Sequence, residues 1–489
     1  MITRLIKSFA AQGLNYSIDL IKTILLVPFF ISNWGLESYG SYLTTLSFLA
    51  LLMSIDNGFG LYVSNNYNLL FHNDEFKAKK QISSAFKALI LSNTIQTIFV
   101  LLFTLIQLNF YFFPADIDVF YALLVLCIYR LFFGSLKGLL VKTLFPIGYY
   151  HRSSIIGSTE KIVEILVLIP FVIYSDSFLD AIIYISIFKS VYCLISIYLI
   201  KRWTKLSSTI LIKNGNIRKG LNMYKKSIPL MFNSFFDKST NDGIISIISI
   251  TLGPSLIPIF TTTKTLSNIL LKLINLIIFH PFIPEFGRLH SINQYNKIKK
   301  IIKLLLSLII ISFLPMLYFV MYSEYIYNYW MNYELKFNSM LFSTLISSSF
   351  LYLISKIFVS YFVSINNVKS LTIFSFVRGI GILLLGYYIT TFFGINGLGL
   401  SNLIAETVSF GLIFYLTYKF FSKRIQLFSK KEIFLYATNT FLVFIGIFSA
   451  TYIKNLFLIS IISLTILIFN FQTFNQIYIL LTKNINDKN

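Results

Sequence analysis

The sequence predicts an all-α integral membrane protein with about 14 transmembrane helices, arranged as two six-helix bundles in parallel repeat plus two C-terminal helices. The first observation is composition, since 56% of the 489 residues are hydrophobic and only 12% are charged. A water-soluble chain cannot bury that much apolar surface. The second observation is a series of apolar segments of membrane-spanning length, and the third is a repeat in the order of those segments.

Apolar segments of about 20 residues, the length that crosses a bilayer as a helix, follow one another along the chain. Their approximate bounds are 9–32, 40–64, 83–108, 118–140, 153–174, 179–200, 227–251, 255–279, 301–322, 339–363, 371–392, 397–419, 432–453 and 456–481. The predicted organisation is a first bundle (1–200), a basic cytoplasmic linker (201–226), a second bundle (227–420) and two appended helices with a tail (421–489).

A shift of 218 residues places the first six segments on or near the next six. Seven pairs of identical residues share this separation: Asn15/Asn233, Asp19/Asp237, Gly35/Gly253, Thr44/Thr262, Thr45/Thr263, Leu52/Leu270 and Asn57/Asn275. An even number of helices separates the two copies, so both enter the membrane in the same direction and are related by an axis along the membrane normal. We therefore expect a cleft between the two halves.

Basic residues are concentrated in one of the two sets of alternating loops. That set includes the linker 201–226, whereas the opposite set offers only Lys336 and Lys454. Because basic loops are retained on the cytoplasmic side, we predict a multi-pass protein of the cytoplasmic (inner) membrane with both termini in the cytoplasm. The same bias accounts for much of the net charge of +22, so nucleic acid is not an expected partner.

Ionisable residues inside the apolar segments are the candidate functional residues, because each is costly if it faces lipid. Cations outnumber carboxylates among them. The candidate substrate-binding cations are Lys22, Arg130, Lys189, Lys238, Lys264, Lys272, Lys356 and Arg378. The candidate ion-coupling or gating carboxylates are Asp19, Asp56, Asp237, Asp242 and Glu406.

A water-filled cavity lined by these cations would attract an anion and offer polar groups to sugar hydroxyls, while a hydrocarbon tail stays in the bilayer. This favours a lipid-linked phosphate with a glycan headgroup as the substrate. A structural interpretation stays open beside it, since Asp19 with Lys22 and Lys238 with Asp242 have the spacing of salt bridges within one helix.

Motifs for catalysis, nucleotide binding and metal binding are missing from the sequence. There is no G-x-x-x-x-G-K-[ST] motif, and the four histidines lack metal-ligand spacing. We therefore predict no catalytic residue, no metal and no bound cofactor.

Four short stretches carry a resemblance to a known family. They are GLESYGSY at 35–42 and IDNGFG at 55–60, then SIPL at 227–230 and DGIIS at 242–246. These stretches resemble the openings of the two halves in the polysaccharide repeat-unit flippases (O-antigen or capsule, Wzx-type). That family belongs to the multidrug/oligosaccharidyl-lipid/polysaccharide exporter (MOP) superfamily.

The resemblance implies a flippase that moves an undecaprenyl-diphosphate-linked oligosaccharide to the outer leaflet by alternating access, without ATP hydrolysis. It places Lys22, Asp56, Lys238, Lys264 and Lys272 in the central cavity. It implies membrane lipids, a glycan polymerase and glycosyltransferases as partners.

The resemblance also leaves coupling to H+ or Na+ open. Related drug exporters use an aspartate of the first helix, to which Asp19 corresponds, with Asp237 as its repeat partner.

Two other functions remain as alternatives. A cation-coupled multidrug exporter of the same superfamily would favour an acidic or aromatic pocket, whereas the surplus charge here is basic. A membrane glycan polymerase or ligase would need a large external loop, and the longest predicted one, at about 323–338, is short.

Overall fold

The structure is a computed structural model that describes residues 2–71, 74–110, 116–175, 177–204, 215–365, 367–422 and 424–470. In parts of two helices, chiefly 2–10 and 270–284, it describes the backbone but not most side chains. The chain divides into two compact units, residues 1–259 and 260–489. The predicted seventh helix lies in the first unit, and the predicted division at the linker 201–226 stays a prediction.

The first unit is helical over nearly all of its described length. Its helices are α1 (Ile2–Phe71), α2 (Glu75–Phe110), α3 (Ile117–Tyr129), α4 (Ser135–Val141), α5 (Tyr150–Tyr174), α6 (Phe178–Thr204), α7 (Ile217–Lys238) and α8 (Ile244–Thr251).

The second unit is also helical, and its first helix begins at the boundary between the units. Its helices are α9 (Ile257–Ser291), α10 (Tyr295–Met321), α11 (Ser323–Trp330), α12 (Ser339–Ser364), α13 (Val368–Phe393), α14 (Ile395–Ser422), α15 (Lys430–Phe448) and α16 (Leu456–Asn470).

The described residues confirm an all-α membrane protein. They contain no strand, and nine of their helical segments are long and apolar enough to cross a membrane. One of these, Gly13–Asn68, has 56 residues. At 1.5 Å per residue it would extend about 84 Å, far more than a bilayer core of about 30 Å. It must therefore contain two spans. The total of 14 stays a prediction, and part of the last predicted helix lies outside the described residues.

The break within α1 occurs at Gly35, where φ is 75° and ψ is 178°. The equivalent residue of the repeat, Gly253, follows α8 and has φ 88° and ψ 163°. Positive φ of this kind is accessible to glycine at little cost. The repeat therefore has a structural counterpart, and a one-residue kink replaces the loop predicted between residues 32 and 40.

Helix α7 packs against both α1 and α2. At Gly58 of α1 a side chain would collide with the backbone of Met231 in α7, so the two helices approach more closely than larger residues permit. Met231 joins Phe59, Val63 and Ile82 in one buried apolar cluster of this unit. This contact explains why the seventh predicted helix belongs to the first unit.

The first unit contains two π-helical turns, each joining two consecutive helices. One lies at Arg130–Gly134, between α3 and α4, and the other at Ser239–Gly243, between α7 and α8. Such turns are rare and are often found at functional sites, because they shift the register of the side chains that follow. Each turn contains an ionisable residue that the sequence singles out, Arg130 in the first and Asp242 in the second.

Candidate functional site

Five charged residues of α1, α5 and α6 form one cluster, here called the Glu164 cluster. The ammonium of Lys22 lies 2.9 Å from the Glu164 carboxylate, and that of Lys189 lies 3.1 Å from it. Lys161 forms a separate pair with Asp19 at 2.6 Å. The cluster holds three cations and two carboxylates, so its formal charge is +1.

The salt bridge considered between Asp19 and Lys22 of one helix is not the arrangement in the structure. Each residue instead pairs with α5, and the partners are spaced as they are on α1: Asp19 with Lys161, then Lys22 with Glu164. The side chain of Glu164 is only 11% exposed. Pairing across helices lets one buried carboxylate serve two lysines, which a pair within α1 would not allow.

A second group, here called the Arg130 cluster, consists of Asp56, Asn93, Gln96, Arg130 and Lys142. Arg130 is 4% exposed, and its Nη2 lies 3.1 Å from the Asp56 carboxylate. Its Nε donates to the Asn93 side-chain oxygen at 3.1 Å, and its Nη2 donates to Asn93 and to Gln96. Gln96 donates in turn to Asp56 at 3.4 Å. Lys142 lies near enough to Asp56 to be attracted by its charge. This cluster also has a formal charge of +1.

Lys137 of α4 and Glu160 of α5 form a further pair, with 2.5 Å between ammonium and carboxylate. The two clusters and this pair together contain six cations and four carboxylates. Helix α7 and the π-helical turn after it add Lys238 against Asp237 and Asp242. The formal charge summed over all of these residues of the first unit is still positive.

Lys238 and Asp242 make the salt bridge within one helical segment that their spacing predicts, at 3.6 Å. The backbone carbonyl of Asp242 accepts a hydrogen bond from the hydroxyl of Ser47 in α1, which secures the π-helical turn against α1. Asp237 and Lys238 are exposed on α7.

The second unit contains a buried ion pair of its own. Arg378 of α13 donates from Nε to Glu406 of α14 at 2.5 Å, and Glu406 is only 3% exposed. The guanidinium of Arg378 also lies 4.0 Å from the centre of the Tyr352 ring, and the ammonium of Lys356 lies 5.5 Å from it. A carboxylate and an aromatic face thus hold these cations.

The remaining predicted cations of the second unit are Lys264 and Lys272. The ammonium of Lys264 lies 5.4 Å from the centre of the Phe260 ring. The side chain of Lys272 falls outside the described residues. The predicted roles in substrate binding and in coupling stay predictions for all of these positions.

Several residues that complete these groups are not among the predicted site residues: Lys137, Lys142, Glu160, Lys161, Asn93 and Gln96. A signal for two of them was available. Glu160, Lys161 and Glu164 lie within five positions of an otherwise apolar helix, a combination that is costly in a bilayer without partners. Asn93 and Gln96 carry no charge, and only the position of Arg130 reveals them.

No protein-family model matches the chain, and no curated protein sequence matches it. Solved structures do match. An inward-facing conformation of a multidrug resistance MATE family transporter of the MOP superfamily aligns with 84% of this chain and 99% of its own, with a TM-score of 0.64 at 13% identity. The fold is that of the MOP superfamily transporters.

Two further structures share this MOP fold. The outward-facing conformation of a multidrug resistance MATE transporter covers 86% of this chain and 96% of its own, with a TM-score of 0.58 at 14% identity. A MOP superfamily transporter from Pyrococcus furiosus, described as having a binding pocket of reverse polarity, covers 86% and 95%, with a TM-score of 0.56 at 14% identity. These similarities confirm the fold that the sequence resemblance implied.

Proposed function

We propose that this protein is a membrane transporter that flips an undecaprenyl-diphosphate-linked oligosaccharide across the cytoplasmic membrane by alternating access. The observation that carries the proposal is the positive surplus of the Glu164 cluster, in which Lys22 and Lys189 share one carboxylate. A substrate that presents a diphosphate to these residues would be attracted, and a cationic drug would be repelled.

The ion pairs within each cluster do not remove this surplus. In the Glu164 cluster, Lys22 and Lys189 share one carboxylate. In the Arg130 cluster, Asp56 supplies one carboxylate beside two cations. Charges removed from water are expensive when they lack a counter-charge. A phosphate oxygen close to the Glu164 cluster would supply one, so binding of an anionic headgroup there would be favoured by several cations at once.

A second candidate function is multidrug export, which is favoured by the names of structures with the same fold. One of them is described as a MATE multidrug transporter in complex with a ligand, with a TM-score of 0.60 at 15% identity.

Energy coupling to an H+ or Na+ gradient is part of the proposal, with Asp19 as the candidate. Its carboxylate is 49% exposed although it is paired with Lys161. A half-exposed carboxylate can exchange a cation with water, whereas a fully buried pair cannot do so easily.

The test uses the purified protein in liposomes that contain a fluorescent undecaprenyl-diphosphate oligosaccharide, with transfer between leaflets measured by chemical quenching. Lys22→Gln and Lys189→Gln should each slow transfer about tenfold or more, the effect of losing one interaction of about 1.4 kcal/mol. Either variant leaves Glu164 with one lysine, so the fold is preserved. Lys454→Gln is the control, since its partner Glu324 and Lys454 itself are both 47% exposed.

A parallel arm measures uptake of a cationic fluorescent dye by the same liposomes. The proposal is wrong if the wild type transports the dye and leaves the lipid in place. It is also wrong if Lys22→Gln and Lys189→Gln flip the lipid as fast as the control does.

A further inference from the structure

A small cavity of about 90 Å³ lies beside the Arg130 cluster, within the first unit. It is lined by residues of α1, by Leu89 of α2 and by the segment from Arg130 through α4 to Lys142. The π-helical turn at Arg130–Gly134 forms one wall. Gly60, Gly134 and Gly138 line the cavity without contributing side chains, and this leaves the space open.

Two polar atoms beside this cavity lack a hydrogen-bond partner within the described part of the chain. Nη1 of Arg130 is buried and has no hydrogen-bond partner among the described residues. Oδ2 of Asp56 lies 3.1 Å from Nη2 of Arg130 as an ion pair and accepts no hydrogen bond from the residues described. As an acceptor it requires a donor, which a water molecule beside a bound anion would supply. Arg130 as a whole is only 4% exposed. A buried guanidinium nitrogen without an acceptor has lost its hydration with nothing in return, and an acceptor in the cavity would remove that cost.

The charge balance indicates what kind of acceptor is needed. Arg130 and Lys142 contribute two positive charges to the cavity wall, and Asp56 contributes one negative charge. Gln96 and Asn93, which contact Arg130 from α2, are neutral. Water can accept a hydrogen bond from Nη1, but it leaves the net charge of +1 in a medium of low dielectric constant. One monovalent anion neutralises it.

The size of the cavity limits the anion. Its volume corresponds to about three water molecules, at about 30 Å³ each. That is sufficient for one halide ion with a water molecule. It does not enclose a diphosphate attached to a sugar.

From these observations we infer that the cavity bounded by Asp56, Arg130 and Lys142 is a binding site for one small monovalent inorganic anion, of which chloride is the physiological example. The anion accepts a hydrogen bond from Nη1 of Arg130 and faces the ammonium of Lys142. The site links α1 to the α3–α4 segment through the anion. This inference does not depend on the proposed transport function.

The test measures the thermal stability of the purified full-length protein in detergent, at constant ionic strength, as sodium gluconate is replaced by sodium chloride. A ligand that binds the folded state raises the melting temperature saturably. Chloride and bromide should both do so for the wild type. Lys142→Gln should weaken the apparent affinity for chloride about tenfold or more, because it removes one of the two facing cations.

A second variant moves the lysine without removing it. A Cβ atom at Gly60 would collide with Nζ of Lys142, so Gly60→Ala should displace that ammonium from the cavity and weaken chloride binding in the same way. Gly157→Ala is the matched control, because a Cβ there meets nothing within 4 Å and Gly157 does not line the cavity. It should bind chloride as the wild type does.

The inference is overturned if chloride gives no saturable stabilisation of the wild type, which would mean that water fills the cavity. It is also overturned if inorganic phosphate stabilises the wild type where chloride does not. The same holds if Lys142→Gln and Gly60→Ala retain the chloride response of Gly157→Ala. Loss of lipid transport in the liposome assay has no bearing on these outcomes.

Discussion

Replacing Glu164 by Gln is the sharpest perturbation of the Glu164 cluster. The carboxylate accepts Lys22 at 2.9 Å and Lys189 at 3.1 Å and is 11% exposed. The substitution preserves the size of the side chain and removes the carboxylate that both lysines share. Loss of one partner from a buried ion pair costs about 3–5 kcal/mol.

The exposure of the two lysines decides where in that range the loss falls. Lys22 is 27% exposed and Lys189 is 20% exposed, so neither ammonium is fully enclosed by protein. We therefore expect the lower end, about 3 kcal/mol. This corresponds to a shift of roughly a hundredfold in the unfolding equilibrium.

The assay is reversible unfolding of the purified protein in mixed micelles by increasing the fraction of SDS, monitored by circular dichroism. The double variant Glu164→Gln/Lys189→Met should recover part of the loss, because it also removes one of the uncompensated charges. Glu324→Gln is the control, since its pair with Lys454 is 47% exposed on both sides. Exposed pairs contribute about 1 kcal/mol or less.

The reasoning is refuted if Glu164→Gln costs no more than Glu324→Gln. Water would then hydrate Lys22 and Lys189 fully, and the cluster would not be a low-dielectric site. It is also refuted if the double variant is less stable than Glu164→Gln alone, because Lys189 would then stabilise the fold through contacts other than its charge.

Three further predictions concern stability and use the same unfolding assay. Gly253→Ala should lower the free energy of unfolding by about 1–3 kcal/mol, because residue 253 has φ 88°. The control is Gly411→Ala, in a helix with open space around it, which should not lower the stability. Equal effects of the two substitutions would contradict backbone strain at residue 253. Arg378→Met should lower the free energy of unfolding by about 3–5 kcal/mol, because it removes the guanidinium that pairs with the buried Glu406. Adding Glu406→Gln should restore much of that stability. If it does not, the packing of Arg378 on Tyr352 contributes more than the ion pair. Ser429→Ala should lower the free energy of unfolding by about 1 kcal/mol, because Ser429 and Glu432 form a capping box at the start of α15. Ser429→Asn should retain most of the stability. If Ser429→Ala is as stable as the wild type, this cap is dispensable.

Composition and hydropathy were sufficient to predict the class of this protein. Helices that cross a bilayer must satisfy their own backbone groups, so a long apolar segment has one regular structure available, and it can be recognised locally. The repeat at 218 residues was also recognisable, and Gly35 and Gly253 carry it into the structure as paired residues with positive φ. The MOP fold followed from short motifs near these positions.

The partners of the intramembrane charges could not be predicted in the same way. Local spacing correctly indicated the pair Lys238–Asp242, because both residues lie on one short segment. It failed for Asp19 and Lys22, whose partners Lys161 and Glu164 lie 142 residues away in the chain.

The sequence by itself determined that this chain is helical, that it resides in a membrane and where its repeat is marked by glycine, because each of these depends on residues close together along the chain. Only the tertiary structure decided that Glu164 neutralises two lysines and that Arg130 faces a cavity with one nitrogen unsatisfied. Electrostatic attraction acts through space, so a charged residue in the bilayer pairs with a residue of whichever helix packs beside it. Which helices pack together cannot be predicted from local hydropathy.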